Sequence, residues 1–112
     1  MSAPRLRADI AAKAILREAG RDGQSAMLIH KGASEAGSLL VVLLERDGSA
    51  MILSQTRTTN GDPAWFFSSG EIPLTVEETG QYIDRQRRYD PDLWVLELEA
   101  PGFRLPFEAT LV

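Results

Sequence analysis

Two apolar runs, residues 38–46 and 49–56, meet at Asp47-Gly48. Asp-Gly between apolar runs is the strongest short-range hairpin signal, because the tight primed turns need the positive φ that Gly adopts without strain. A two-residue loop predicts that Leu44 opposes Met51, Leu43 opposes Ile52 and Val42 opposes Leu53. One face then carries Leu39, Val41, Leu43, Ala50 and Ile52, and the other Leu40, Val42, Leu44, Met51 and Leu53. Both faces are apolar, which marks a central pair of strands covered on both sides. The rest of the chain must therefore supply two covers.

Two helices are available. Ala8, Ala11, Ala12, Ile15, Leu16 and Ala19 recur at helical spacing and form one apolar face over residues 6–19, with Gly20 and Gly23 after it. A second helix opens at Thr75-Val76-Glu77-Glu78, a capping box, and runs to Tyr89, where Pro91 forces Asp90 out of helical geometry. Its expected inner side is Val76, Thr79, Tyr82, Ile83 and Gln86.

The remaining segments read as strands. Residues 25–31 place Ala26, Leu28 and His30 on one face and Met27, Ile29 and Lys31 on the other. Residues 64–68 hold three of the eight aromatics, with Trp65 and Phe67 facing one way and Phe66 the other. Residues 93–99 set Trp94, Leu96 and Leu98 against Val95, Glu97 and Glu99. Pro101-Gly102 suits a type II turn, and Phe103, Leu105 and Phe107 alternate after it as a final edge strand marked by Pro106. Strands in consecutive hairpins predict an α+β fold: a single domain over residues 1–112, with an antiparallel sheet of five or six strands and two helices.

Several functions are excluded by what the chain lacks. It has no cysteine, which removes disulfide scaffolds, thiolate metal sites and thiol nucleophiles. It has one histidine, His30, too few for a histidine zinc site within one subunit. The longest apolar run, residues 39–44, is far short of the roughly 20 residues of a membrane helix. The first seven residues carry no signal-peptide apolar region, so a cytoplasmic location is expected. The net charge of −4 disfavours nucleic acid as a partner. No glycine pattern cradles a phosphate, and no cofactor is expected.

Within this frame a set of residues resembles a known family. Pro4-Arg5-Leu6, Lys31-Gly32, Ala36-Gly37, Asp47-Gly48 and the stretch from Arg85 through Asp90-Pro91-Asp92-Leu93-Trp94-Val95 to Glu97 resemble, in order and spacing, the domain of unknown function 1491 family. The resemblance covers nearly the whole chain, and Asp-Pro-Asp-Leu-Trp-Val is its most specific part. It implies an alphaproteobacterial protein of similar length. It carries no assigned activity, so no catalytic residue is transferred through it. The loop at residues 58–71, with Trp65-Phe66-Phe67, is where members are expected to differ most.

Four further groups of residues bear on function. Arg85, Arg87 and Arg88 stand at the end of the second helix, where cations suit the helix dipole and where Asp90, Asp92, Glu97 and Glu99 are near in sequence. They form a candidate anion or partner surface with Asp90, Asp92 and Trp94, and the expectation is that Arg85 and Arg88 pair with the Asp90–Asp92 turn. Lys13 and Arg17 form a short basic stripe, but Asp9 is placed to pair with Lys13, so a solvated face is expected. Asp92, Glu97 and Glu99 resemble a nuclease carboxylate set only faintly, since Glu99 occupies the place of the lysine. Trp65, Phe66 and Phe67 form a candidate interface.

The composition supports three functions. The first is a non-catalytic protein-interaction or regulatory module that binds another protein or itself. The second is a small anion- or nucleotide-binding regulator using the arginines, and the third a carboxylate-based metal enzyme. Two helices of about fourteen residues span roughly 21 Å each. Either they divide between the two sheet faces or, laid side by side on one, they leave the other to a second subunit; the alanine-rich first helix favours the latter, a symmetric homodimer.

Overall fold

The computed structural model describes residues 6–112. Pro4 and Arg5, which carry part of the family resemblance, lie outside the described residues. Helix α1 (Ala8–Ala19) is followed by strands β1 (Ala26–His30), β2 (Leu39–Leu44), β3 (Ala50–Arg57) and β4 (Pro63–Phe67). Helix α2 (Val76–Tyr89), strand β5 (Trp94–Glu99) and a 3-10 turn (Pro101–Phe103) complete the order. The five strands form one sheet in the order β1-β5-β2-β3-β4. The α+β class and the two helices stand as expected. The sheet is mixed rather than wholly antiparallel, because β5 inserts between β1 and β2 and runs parallel to β2.

The hairpin register differs by one residue from expectation. Leu44 pairs with Ala50, Leu43 with Met51 and Val42 with Ile52. The Glu45 N–H donates to the Ser49 carbonyl at 2.9 Å, and the Gly48 N–H to the Glu45 carbonyl at 3.0 Å. The loop therefore has three residues, Arg46-Asp47-Gly48, with Gly48 at φ +90° forming the bulge that such loops require. A one-residue slip exchanges the faces of a strand. One face accordingly carries Leu39, Val41, Leu43 and Leu53, and the other Leu40, Val42, Ala50 and Ile52.

Each face has its own helix. Ala8, Ala12, Ile15 and Ala19 of α1 pack on the first face with Trp94, Leu96 and Leu98. Tyr82 and Ile83 of α2 pack on the second with Leu93 and Val95. The alanine-rich stripe of α1 buries little area per side chain, but it lets the helix lie close to the sheet, and Phe107 fills in beside it. The expectation that both helices share a face, and with it the reason for a subunit covering the open one, is thereby corrected. Val76 is also corrected: it is 70% exposed, while Thr79 is the buried side chain of α2. The capping box forms as expected, with Thr75 Oγ1 accepting from the Glu78 N–H at 3.1 Å and Glu78 accepting from the Thr75 N–H at 2.9 Å.

No sixth strand follows β5. Both edges of β5 are occupied, by β1 and β2, so the alternating residues Phe103, Leu105 and Phe107 have no free edge beside them. The turn itself is as expected: the Phe103 N–H donates to the Ala100 carbonyl at 2.8 Å, with Gly102 at φ 67°. The chain then crosses the α1 face, where Phe107 is buried and meets Trp65 edge-on with ring centroids 5.6 Å apart. It ends against β4, where the Trp65 N–H donates to Thr110 and the Val112 N–H to Trp65.

The segment between β1 and β2 ties the first helix to β5. The Ala8 and Asp9 N–H groups, unpaired within their own helix, donate to the Glu35 and Ser34 carbonyls at 3.2 and 3.0 Å. The Trp94 indole N–H donates to the Ala33 carbonyl at 2.8 Å, and the Ala33 N–H to the Asp92 carbonyl at 3.0 Å. Gly32 and Gly37 permit this approach: a Cβ on either would stand 2.0 or 2.5 Å from the Asp92 oxygen. Gly32→Ala should therefore lower stability by more than the roughly 1 kcal/mol of an average substitution. Trp94→Phe, which strands the Ala33 carbonyl, should cost about 1–3 kcal/mol. Urea denaturation of both variants measures this, and wild-type midpoints would disprove the role assigned to the segment.

Two carboxylates at the β2–β3 turn contribute to the acid dependence of the fold. The Arg46 and Gly102 N–H groups hold the Glu45 carboxyl below its usual value. The Ser49 hydroxyl and N–H do the same for Asp47. A lowered folded value means stability that is present above the ordinary carboxylate range of about 4 and is lost as the pH falls through the folded value. Glu45→Ala should make the acid side of a stability–pH profile shallower, and an unchanged slope would count against this link between the hairpin turn and the turn after β5.

Candidate functional site

Helix α2 crosses its face of the sheet on a diagonal. Its N-terminal end lies by the β2–β3 turn, where Leu74 bridges to Ala50 and Val76 approaches Gly48. Its C-terminal end lies by the end of β1, where His30, Asp84, Arg87, Arg88 and Pro91 line an open cleft of about 430 Å³. His30 was expected on the face of Ala26 and Leu28. A bulge between Leu28 and His30 pairs His30 with Val95 instead and turns it to the α2 side. A bulge of this kind re-aims one side chain without a mark in the apolar pattern.

The arginines at this end are exposed and differ in their contacts. The Arg85 guanidinium lies over the Tyr82 ring, 5.8 Å from its centre. Arg7 forms ion pairs with Asp9 at 3.3 Å and with Glu35 at 3.9 Å. Arg85, Arg87 and Arg88 take part in neither, so the expected pairing of Arg85 and Arg88 with the Asp90–Asp92 turn is not formed. The turn satisfies itself instead. The Asp90 carboxylate accepts the Asp92 N–H at 3.1 Å, and the Asp90 N–H donates to the Gln86 carbonyl at 2.9 Å. Trp94 is corrected as a surface residue, since it is 3% exposed and spends its one polar hydrogen on Ala33.

Elsewhere the predicted groups separate. Trp65 and Phe67 are half-buried against the α1-side core, and Phe66 points to the other face, 39% exposed. Glu97 and Glu99 share the α2 side of β5 and line a second cleft of about 270 Å³ with Ser25, Leu44, Glu45 and Arg46. Among the described residues, no three His, Cys, Asp or Glu side chains converge to hold a metal ion. No helix among them is long and apolar enough to cross a membrane. On the basic stripe of α1, Asp9 has its carboxyl pushed up by burial, yet the Arg7 side chain, the Ile10 N–H and the charges of Arg7 and Lys13 bring it below the usual value. The Asp9 carboxylate pairs with Arg7 at 3.3 Å rather than with Lys13 as expected.

The arrangement offers two guanidiniums and an imidazole in one open cleft, with one carboxylate among them. It can bind carboxylate or phosphate oxygens through charge-assisted hydrogen bonds. It holds no arrangement of nucleophile, base and orienting group. The signal sequence reading missed is His30, whose place in the cleft follows from a bulge.

A family model described as "Protein of unknown function (DUF1491)" matches residues 6–108. The chain is similar to a DUF1491 family protein from Caulobacter crescentus CB15 known by crystallography. The TM-score is 0.84 and the identity 28%, over 96% of this chain and 100% of the other. An NMR structure of a DUF1491 family protein from the same organism gives 0.81 and 28%, over 98% and 99%. The solution structure of a protein from A. tumefaciens gives 0.78 and 26%, over 97% and 96%. No curated protein matches. A family model spanning nearly all described residues, with the same fold in relatives of full length, places this chain in the DUF1491 family.

Proposed function

We propose that the chain is a non-catalytic interaction module whose contact surface is the basic end of α2, where Arg87, Arg88 and His30 receive carboxylates of a protein partner. The supporting observation is that neither arginine enters an ion pair among the described residues, although Asp84 lines the same cleft. Exposed arginines keep their water and their charge until a partner replaces the water. Single exposed pairs contribute little, so recognition of this kind needs several charges acting together. The reading carries with it the cytoplasmic location expected from the sequence.

A second reading is favoured by the grouping of an imidazole with two guanidiniums, which also suits the oxygens of a small phosphate anion. The two separate in one experiment: titration of the protein with a glutamate-rich peptide, inorganic phosphate, a nucleoside triphosphate and magnesium, followed by amide NMR shifts and melting temperature. The interaction reading expects the peptide to shift the amides of His30, Arg87 and Arg88, with melting unmoved by phosphate or magnesium. Saturable stabilisation by phosphate that is lost in Arg88→Ala would establish the small-anion reading instead.

Arg88→Ala itself should leave stability within about 0.5 kcal/mol of wild type, as an exposed side chain outside any ion pair does. A large fall in melting temperature would show that Arg88 holds the helix–strand junction together, and the contact surface would lose its main support.

A further inference from the structure

We infer that the interaction partner is a second copy of this chain, joined edge to edge through β1 in an antiparallel pair. The inference rests on the reading of the chain as an interaction module and adds an observation of its own, the state of the two sheet edges. The β4 edge is bridged at its middle by residues 110–112, with hydrogen bonds between Trp65 and both Thr110 and Val112. The β1 edge has no such cover among the described residues, and Met27, Leu28 and Ile29 on it are 51%, 43% and 46% exposed.

The free main-chain groups can be assigned. The Glu99 N–H donates to the Ser25 carbonyl at 2.9 Å, and the register continues through Ala26 with Leu98, Met27 with Glu97 and Leu28 with Leu96. Hydrogen-bonded and non-hydrogen-bonded pairs alternate in antiparallel strands. Met27 therefore bonds inward to β5, while Ala26 and Leu28 turn their N–H and C=O groups to the open edge. A two-fold axis at Met27 sets Ala26 of one copy against Leu28 of the other, so both exchange bonds. Edges are normally blunted by proline, by charge or by a bulge within the strand. Here Ala26–Leu28 is regular and uncharged, and the bulge comes only after it.

Charge selects a second copy over other strands. One end of β1 adjoins the basic cleft of His30, Arg87 and Arg88, and Lys31 follows it. The other end adjoins the acidic cleft, where Glu45, Glu97 and Glu99 outnumber Arg46. A two-fold axis through the strand reverses one copy on the other. Each basic end then lies along an acidic end, with β5 two strand spacings away, about 10 Å, within reach of a long side chain. The surface is complementary to itself, as an isologous interface must be.

The test is the mass of the full chain by light scattering and sedimentation, from micromolar to about 100 µM, at low and high salt. The expected result is a dimer that dissociates on dilution and with salt. Leu28→Pro removes an N–H that the single chain does not use and should give a monomer. Arg87→Glu with Arg88→Glu should weaken the dimer by roughly tenfold or more, and adding Glu97→Arg with Glu99→Arg should restore it. Circular dichroism verifies that each variant is folded, and the charge variants carry the test if Leu28→Pro is not. A wild-type monomer at the highest concentration would overturn the inference, as would a dimer indifferent to the charge reversals or reversals without rescue. A monomer whose His30 and Arg87 amides still respond to the glutamate-rich peptide would overturn the self-pairing alone and leave the interaction module standing.

Discussion

The hydrogen bond from the Trp94 indole to the Ala33 carbonyl fixes the part of the topology that the chain could most easily have built otherwise. β5 is the last strand in sequence, yet it lies between β1 and β2. Nothing in a hairpin places it there, since its pairing with β2 is parallel and distant in sequence. The segment between β1 and β2 guides it. Its carbonyls at Ser34 and Glu35 receive the first amides of α1, its Ala33 carbonyl receives Trp94, and its Gly32 and Gly37 lie against the Asp92 backbone. One short loop thus joins the start of a helix to the start of the inserted strand. This also gives a physical role to the residues that carry the family resemblance. Gly32 and Gly37 lie against Asp92 and Trp94 of the Asp-Pro-Asp-Leu-Trp-Val segment, so closely that neither position has room for a Cβ.

Local chemistry was legible in the sequence, and pairing was not. The helical face of α1, the face of α2 apart from Val76, the Thr75–Glu78 box and the alternation of Trp94, Leu96 and Leu98 follow from period and capping, and are present. The insertion of β5 depends on contacts far apart in the chain, which no period records. Asp47-Gly48 correctly marks the turn, but the same dipeptide serves a two-residue loop and a three-residue loop with Gly in the left-handed position. The choice moves the whole of β3 by one residue. Since both strands are apolar on both faces, the pattern had no polar residue with which to correct it.

The same weakness hid the candidate site. His30 belongs to the basic cleft because one bulged residue turns it there, and Arg87 and Arg88 face it because α2 crosses the sheet on a diagonal. Neither fact is written in composition. The arginine cluster itself was visible, but its expected partners were wrong. Asp90 uses its carboxylate on the Asp92 amide, as short acidic side chains in turns often do. Proximity in sequence suggested an ion pair where the turn had a better local bond to make.

Dividing the helices between the faces changes where this chain can meet another. Were both helices on one face, a partner would have to cover an apolar sheet, and the interface would resemble a core cut in half. With each face carrying its own helix, the sheet interior is closed, and Met27, Leu28 and Ile29 on the β1 edge are among the apolar residues left exposed. On the α2 side, one cleft is lined by Glu97 and Glu99, while the C-terminal end of the helix brings the arginines to another. The unequal charge of the two ends is therefore a product of how one helix lies, together with acidic residues on the half of β5 it does not reach. An edge with a small apolar centre and opposite charges at its ends selects partners by direction as well as by contact, because the reversed pairing gains attraction where the unreversed one meets repulsion.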